Sequence, residues 1–243
     1  MTASRNFPGF NLPKVATMFM GLLVGALSID SALAAENEYP AETTAVILVD
    51  PYNDFVSEGG KIYQNIKQTA DSVNLVENLV KLVEGARSKG IPVFYAMHLE
   101  WEPGIREDWQ FQHITQERQG QFQVFAKGTW GAEIHPALVP QEGDIVVEQH
   151  PFSSGFAGTD LDAQLRARGY DHVVIAGLAT NTCVEATGRY ATELKYHTTF
   201  IKDGVATWSM EEQEAAIKYD YPRIAHAVLT VDEFLQSVVV AQK

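Results

Sequence analysis

Residues 172–185 read HVVIAGLATNTCVE, an apolar run that passes through a small-residue turn toward a polar segment. Val173 to Ala176 is apolar without alternation, the pattern of a strand buried on both faces. Leu178 to Thr182 reads as a short turn. Thr182 with Glu185 three residues on is a capping-box pair, so the spacing predicts a helix over 182–194. A buried strand that turns sharply into a helix is the repeating unit of an α/β domain.

The same unit recurs on either side. Ala45–Asp50 (AVILVD) is an apolar run that ends in a carboxylate. Ser72–Lys89 carries a helical stripe of Val73, Val76, Leu79, Val80, Val83 and Ala86, and Gly90 stands where a glycine would stop it. Ile91–His98 reads as a strand and Ile145–Glu148 as a short one. A helix over 160–168 capped by Thr159, a strand over 197–202 and a helix over 209–219 follow. A strand over 225–230 and a helix over 231–240 close the chain. Residues 99–140 read as irregular. The pattern predicts a three-layer, doubly wound α/β domain with a mainly parallel sheet of about six strands. Ligands in such sheets sit at the carboxyl ends of the strands near the switch point, which directs attention to Asp50, His98, the segment after Glu148 and the turn after Gly177.

The start of the chain reads differently. Arg5 and Lys14 precede the apolar run 15–29, and Ser-Ala-Leu-Ala at 31–34 is an A-x-A cleavage pattern. Residues 1–35 are expected to be a signal peptide, leaving 36–243 as one domain that is exported to the periplasm or secreted. The whole chain has a formal charge of −13, and removal of Arg5, Lys14 and Asp30 makes it one unit more negative. That acidity argues against nucleic acid and anionic membrane surfaces as partners, and no other apolar run is long enough to span a membrane. A small molecule is the expected partner.

Cys183 is the chain's single cysteine, so it has no intramolecular disulfide partner. It reads either as a buried, inert residue or as a nucleophile. At the first helical position it would meet unpaired backbone N–H groups and the positive helix end, which favour the thiolate. Backbone N–H groups at such a turn can also hold an oxyanion. Asp50, at the end of another strand, could serve as general base, or could simply turn the chain before Pro51.

Four segments resemble the isochorismatase-like cysteine hydrolases, the group that contains nicotinamidases and ureidoacrylate amidohydrolases. Asp50-Pro-Tyr-Asn-Asp-Phe is similar to the family's D-x-x-N-D-F opening, and Ser-Gly-Phe-Ala-Gly-Thr-Asp-Leu-Asp at 154–162 to its S-[AG]-F-x-x-T-x-L-D segment. Ala-Gly-Leu-Ala-Thr-Asn-Thr-Cys-Val-Glu at 176–185 resembles its nucleophile turn, and Asp203 its D-A strand end. The resemblance implies Cys183 as nucleophile, Asp50 as base, the Ala179 and Cys183 N–H groups as oxyanion hole, and a cis peptide between Leu178 and Ala179. It implies Phe55 as a pocket residue and a homo-oligomer. Phe156 of the S-G-F segment, His98 and Trp130 are further candidates to touch substrate.

The chain departs from the family at one point. The usual catalytic lysine, six residues before the S-[AG]-F phenylalanine, is replaced here by His150. An imidazole's charge is conditional where a lysine's is permanent. Lys127 is the alternative cation, reached only if the irregular segment folds in. The sequence around His98, Glu100 and His113 is too sparse for a metal centre, so neither metal nor cofactor is expected. His172, His197 and His226 stand at strand starts and read as structural. Arg106 reads as a solvated loop residue or as a contact for an acidic substrate. The expected activity is hydrolysis of a small amide or related C–N bond through a Cys183 thioester. The alternatives are a catalytically silent ligand-binding protein and an isochorismate-type vinyl ether hydrolase. A redox sensor would lack a resolving cysteine.

Overall fold

A computed structural model describes residues 38–241. The signal segment and its boundary at residue 35 lie outside the described residues. Among the described residues eight strands occur in chain order: β1 (Tyr39–Pro40), β2 (Thr44–Val49), β3 (Val93–Ala96), β4 (Ile145–Val146), β5 (His172–Leu178), β6 (His197–Ala206), β7 (Ala227–Leu229) and β8 (Val238–Val239). Six of them form one sheet in the order β4-β3-β2-β5-β6-β7, with every pairing parallel.

Alternation along the strands builds the three layers. Val46 and Leu48 face one core with Val174 and Ala176, under the helices Leu75–Ser88 and Val231–Ser237. Ala45, Ile47 and Val49 face the other with Val173 and Ile175, under the helices Leu161–Ala167 and Glu185–Glu193. Every residue of β2 is buried, which is why the run reads as apolar throughout rather than as alternating.

The strand order places the switch point. From β2 the chain goes outward to β3 and β4, then returns to lay β5 on the opposite side of β2. Connections after β2 and β5 therefore diverge, leaving a crevice at their carboxyl ends. Gly177 permits the two strands to close there. Its φ is +118°, and a Cβ would meet the Val49 carbonyl oxygen at 2.1 Å.

Several boundaries differ from the sequence reading. The helix read as 72–89 begins only at Leu75 and ends at Ser88, and a separate helix that the sequence reading did not name, Tyr63–Ser72, precedes it; the break falls at Asn74, whose φ of +48° asparagine tolerates. The segment read as irregular contains the helix Ile114–Phe122, capped by His113 with Gln116 completing the box. The closing helix stops at Ser237, and Val238–Val239 turns to pair with Tyr39–Pro40. The helix read as 209–219 runs from Met210 to Ala215 and passes into a π turn. Thr159 accepts from the Leu161 N–H, while Asp160 holds the cap position with its side chain on the Glu148 and Gln164 nitrogens. No helix among the described residues is long and apolar enough to cross a membrane.

Candidate active site

Asp50 follows the last residue of β2 and is wholly buried. Its backbone takes a φ of +51°, a left-handed conformation uncommon outside glycine but tolerated by aspartate. Its N–H still donates to the Ala96 carbonyl at 3.0 Å, so the residue turns without leaving the sheet. Oδ1 accepts from the His98 backbone N–H at 2.6 Å and lies 3.1 Å from His150 Nε2. Oδ2 has no hydrogen-bond partner of ordinary geometry.

His150 is carried there by the sheet. Its backbone bridges to His98 in parallel, donating to the Met97 carbonyl and accepting from Leu99, both at 2.9 Å. Gln149 and Glu100 brace the same bridge with two side-chain bonds of 3.0 Å. The imidazole is wholly buried and its Nδ1 has no partner. With Asp50 as acceptor, Nε2 carries the hydrogen.

Cys183 approaches from β5. The Leu178–Ala179 peptide is cis, and Thr180–Val184 form a π turn before the helix Glu185–Glu193 begins. This corrects two expectations. Cys183 stands four residues into the turn and not at a helix N1, and Thr182 caps nothing, since Glu185 pairs with Arg189 at 2.8 Å. The thiol is not lowered toward thiolate. Burial pushes it well up, and the charge and hydrogen bonding of Asp50 add to that, while donation from the Thr182 hydroxyl and the Ala179 N–H opposes it. Its sulfur lies 3.9 Å from the Phe152 carbonyl. Burial and the neighbouring Asp50 side chain thus both favour the neutral form of the thiol.

The remaining candidates divide. Phe55 packs on Phe125 at 5.1 Å and near Trp208 at 6.2 Å, and Phe125 lies 5.7 Å from the His98 ring. These four rings form one cluster, joined to Asp50 through the His98 N–H. Burial lowers the His98 imidazole to about 4, with the charges of His150 and Arg106 adding to the fall and that of Asp50 opposing it. Trp130 is 47 % exposed, and its carbonyl accepts from Asn53. Phe156 turns into the core against Tyr196, so the geometry makes it packing and not pocket wall. Lys127 is on the surface, paired with Glu102 at 3.1 Å, and it is His150 that meets Asp50. Asp203 accepts from the Val231 N–H at 2.9 Å and so anchors the last helix. Among the described residues no three His, Cys, Asp or Glu side chains are arranged to hold a metal ion.

Some residues carry more than the sequence suggested. Asn53 and Asp54, which the sequence marks only as part of a motif, tie the long 123–134 loop to the end of β2. Asn53 binds the Glu133 and Trp130 carbonyls, and Asp54 accepts from the Phe125 and Lys61 N–H groups at 2.8 and 3.1 Å. Phe125 and Trp208 had no periodic signal to mark them; only their places, in the long segment and just past β6, hinted at the site.

The fold and the cluster together define a class: a doubly wound α/β domain with a buried thiol, carboxylate and imidazole gathered at its switch point. Residues 44–233 match the isochorismatase domain, and the chain belongs to that hydrolase family. It is 32 % identical over 210 residues to the ureidoacrylate amidohydrolase RutB of Rhizobium rhizogenes, covering 82 % of this chain and 84 % of the relative. A cysteine hydrolase from Pseudomonas syringae pv. phaseolicola superposes with a TM-score of 0.70 at 28 % identity, over 82 % of this chain and 94 % of that one. N-carbamoylsarcosine amidase from Thermoplasma acidophilum gives a TM-score of 0.57 at 29 % identity, over 78 % and 97 % of the two chains.

Proposed function

We propose that the chain is a cysteine amidohydrolase that cleaves a small amide or ureido C–N bond through a Cys183 thioester. The observation that carries this reading is the buried thiol beside the Asp50 carboxylate. Asp50 takes the thiol proton as sulfur attacks the carbonyl carbon, and the carbonyl oxygen becomes an oxyanion held by the Ala179 and Cys183 N–H groups. The C–N bond then breaks, with the proton passing from Asp50 to the leaving nitrogen. Asp50 next takes a proton from water, whose oxygen attacks the thioester and frees the acid, and the proton returns to sulfur. A high resting thiol pKa suits this scheme, because the nucleophile forms only as the proton leaves. His150 donates to Asp50 and holds its orientation. Phe55, Phe125, Trp208 and His98 bound the substrate.

Membership among amidohydrolase relatives supports the C–N bond as target. Ammonia release from a panel of small amides and ureido acids tests it. Activity should fall about 10³-fold or more in Cys183→Ala. Undiminished ammonia release in Cys183→Ala would refute the thioester step, and no turnover of any member by wild type would favour the silent binder or the vinyl ether reading. Export is part of the proposal: the mature protein recovered from a secreting host should begin at residue 35 or 36. A homo-oligomer in solution is the accompanying expectation, read by sedimentation.

A further inference from the structure

The turn that carries Cys183 is held from outside itself. Thr180, its first residue, is wholly buried. Its hydroxyl donates to Gln213 Oε1 at 2.6 Å, and its carbonyl accepts from the Tyr221 hydroxyl at 3.0 Å. Gln213 lies on the helix Met210–Ala215 and Tyr221 opens the helix Tyr221–Ile224, with the π turn Ala216–Asp220 between them. Both side chains are buried, and the Tyr221 ring stacks on Phe200 at 3.9 Å. Two points on one residue of the nucleophile turn are therefore fixed by a segment some thirty residues further on.

The orientation of the Gln213 amide follows from its partners. Nε2 donates to the Val205 carbonyl at 2.9 Å, and a carbonyl can only accept, so Oε1 is the atom left for the Thr180 hydroxyl. Val205 pairs with Gly177 at the end of β5. One amide thus ties the strand ends of the sheet to the start of the turn. The helix does not need it for closure, because Ser209 caps that end by accepting from the Glu212 N–H. Burying an amide is costly unless both its ends are bonded, and an apolar side chain of the same length would fill the space without that cost. What the amide adds is the direction in which it holds Thr180. That direction bears on the chemistry. Thr180 follows Ala179, whose N–H is one of the proposed oxyanion donors. The Ala179 carbonyl accepts from the Thr182 and Val184 N–H groups at 3.1 and 3.2 Å, on either side of Cys183. A rotation at Thr180 would move both oxyanion donors and the thiol together.

We propose that Gln213 is a positioning residue: through Thr180 it aims the turn on which Cys183 meets Asp50 and the oxyanion donors converge. This rests on the amidohydrolase reading and adds to it a residue that acts without touching substrate. Small misplacements of reacting groups lower turnover steeply even when their source is remote from the chemistry, so the effect belongs in kcat and not in KM.

The test uses the full chain as Gln213→Met, Thr180→Val, Thr180→Ser and the double variant Gln213→Met with Thr180→Val. Methionine keeps the length and valine the shape while the bond is lost; serine keeps the hydroxyl. Circular dichroism and melting midpoints show which variants fold. On the amide or ureido compound that wild type turns over fastest, Gln213→Met and Thr180→Val should each lower kcat about tenfold or more, with KM within about twofold. The double variant should lose no more than the worse single one, because both changes remove the same bond. Thr180→Ser should keep kcat within about threefold of wild type. A kcat loss under about twofold, a loss carried by KM, losses that multiply in the double variant, or a Thr180→Ser no better than Thr180→Val would overturn the proposal. If only one of Gln213→Met and Thr180→Val folds, that one is compared with Thr180→Ser; if neither folds, the bond serves the fold and the proposal is overturned. Wild-type turnover separates the two readings. Turnover by wild type with kcat unmoved in both variants refutes the positioning role and keeps the hydrolase. If wild type turns over no compound, the hydrolase reading fails, and the iodoacetamide rate of Cys183 against pH judges Gln213 instead. A rate that climbs more steeply with pH in both variants than in wild type keeps the positioning role, because the thiol has then lost its place beside Asp50; an unchanged profile refutes it.

Discussion

Asp50 is asked to do two opposed things, and its surroundings explain how. Its charge raises the thiol beside it, which favours the protonated resting nucleophile, yet the same side chain is the proposed acceptor for the proton. Asp50→Asn keeps the shape and removes the acceptor, so kcat/KM should fall about 10²–10⁴-fold while the fold survives, as steady-state kinetics and circular dichroism would report. His150 acts through Asp50. Gln keeps a donor toward Asp50 and Ala does not, so His150→Gln should retain more kcat/KM than His150→Ala at equal folding by circular dichroism, whereas a role limited to packing would make the two losses follow the lost volume alone. Cys183 and Asp50 were legible in the sequence because each ends or follows an apolar run. The direction of the thiol shift was not, because burial and the Asp50 charge are tertiary facts that outweigh the local helix-end argument.

At the scale of elements, the strands were legible and their decorations were not. Runs such as AVILVD declare a two-sided burial that few other structures allow. The helix Ile114–Phe122 was hidden because both its terminal hydrophobics are exposed, with Ile114 at 49 % and Phe122 at 60 %, so no apolar stripe marks it. Its histidine cap lies outside the usual set of capping residues. Asp54 shows how an element far from the sheet is held to it. Asp54→Ala would leave the buried Phe125 N–H without an acceptor and loosen the Lys61 turn. It should cost about 2–4 kcal/mol by urea unfolding and raise hydrogen exchange in residues 123–134 first. Gly188 sets a different limit. A Cβ there would lie 2.0 Å from the Phe200 ring, so Gly188→Ala should destabilise by about 1–3 kcal/mol although alanine is the better helix former. A gain in melting temperature in that variant would contradict the packing described.

At the scale of the whole molecule, the two ends of the sheet have different chemistry. The carboxyl ends carry the cluster. At the amino ends, His172, His197 and His226 stack with ring centroids 4.8 and 4.7 Å apart, and Tyr39 lies edge-on to the first two. Burial, then the neighbouring imidazoles, lower His197 to about 4 from 6.5, with Asp171 opposing. Between those values the unfolded chain takes up a proton that the folded one refuses, so stability is full above pH 6.5 and falls as the pH drops toward 4. After allowance for solvent screening the loss is about 1–2 kcal/mol, and His197→Phe should flatten that slope in unfolding curves at pH 7.5 and 5. The strand order converts these local facts into a site, because only a sheet that reverses between β2 and β5 brings Asp50 and Cys183 to one crevice. The measurement that tests this most directly needs no substrate: the iodoacetamide alkylation rate of Cys183 against pH, in wild type and Asp50→Ala. If Asp50 takes the thiol proton, the wild-type rate should be nearly flat through the neutral range, and the Asp50→Ala rate should climb about tenfold per pH unit. A wild-type rate that climbs like that of an ordinary thiol, with a pKa of about 8.5, and is unchanged in Asp50→Ala, would contradict the account.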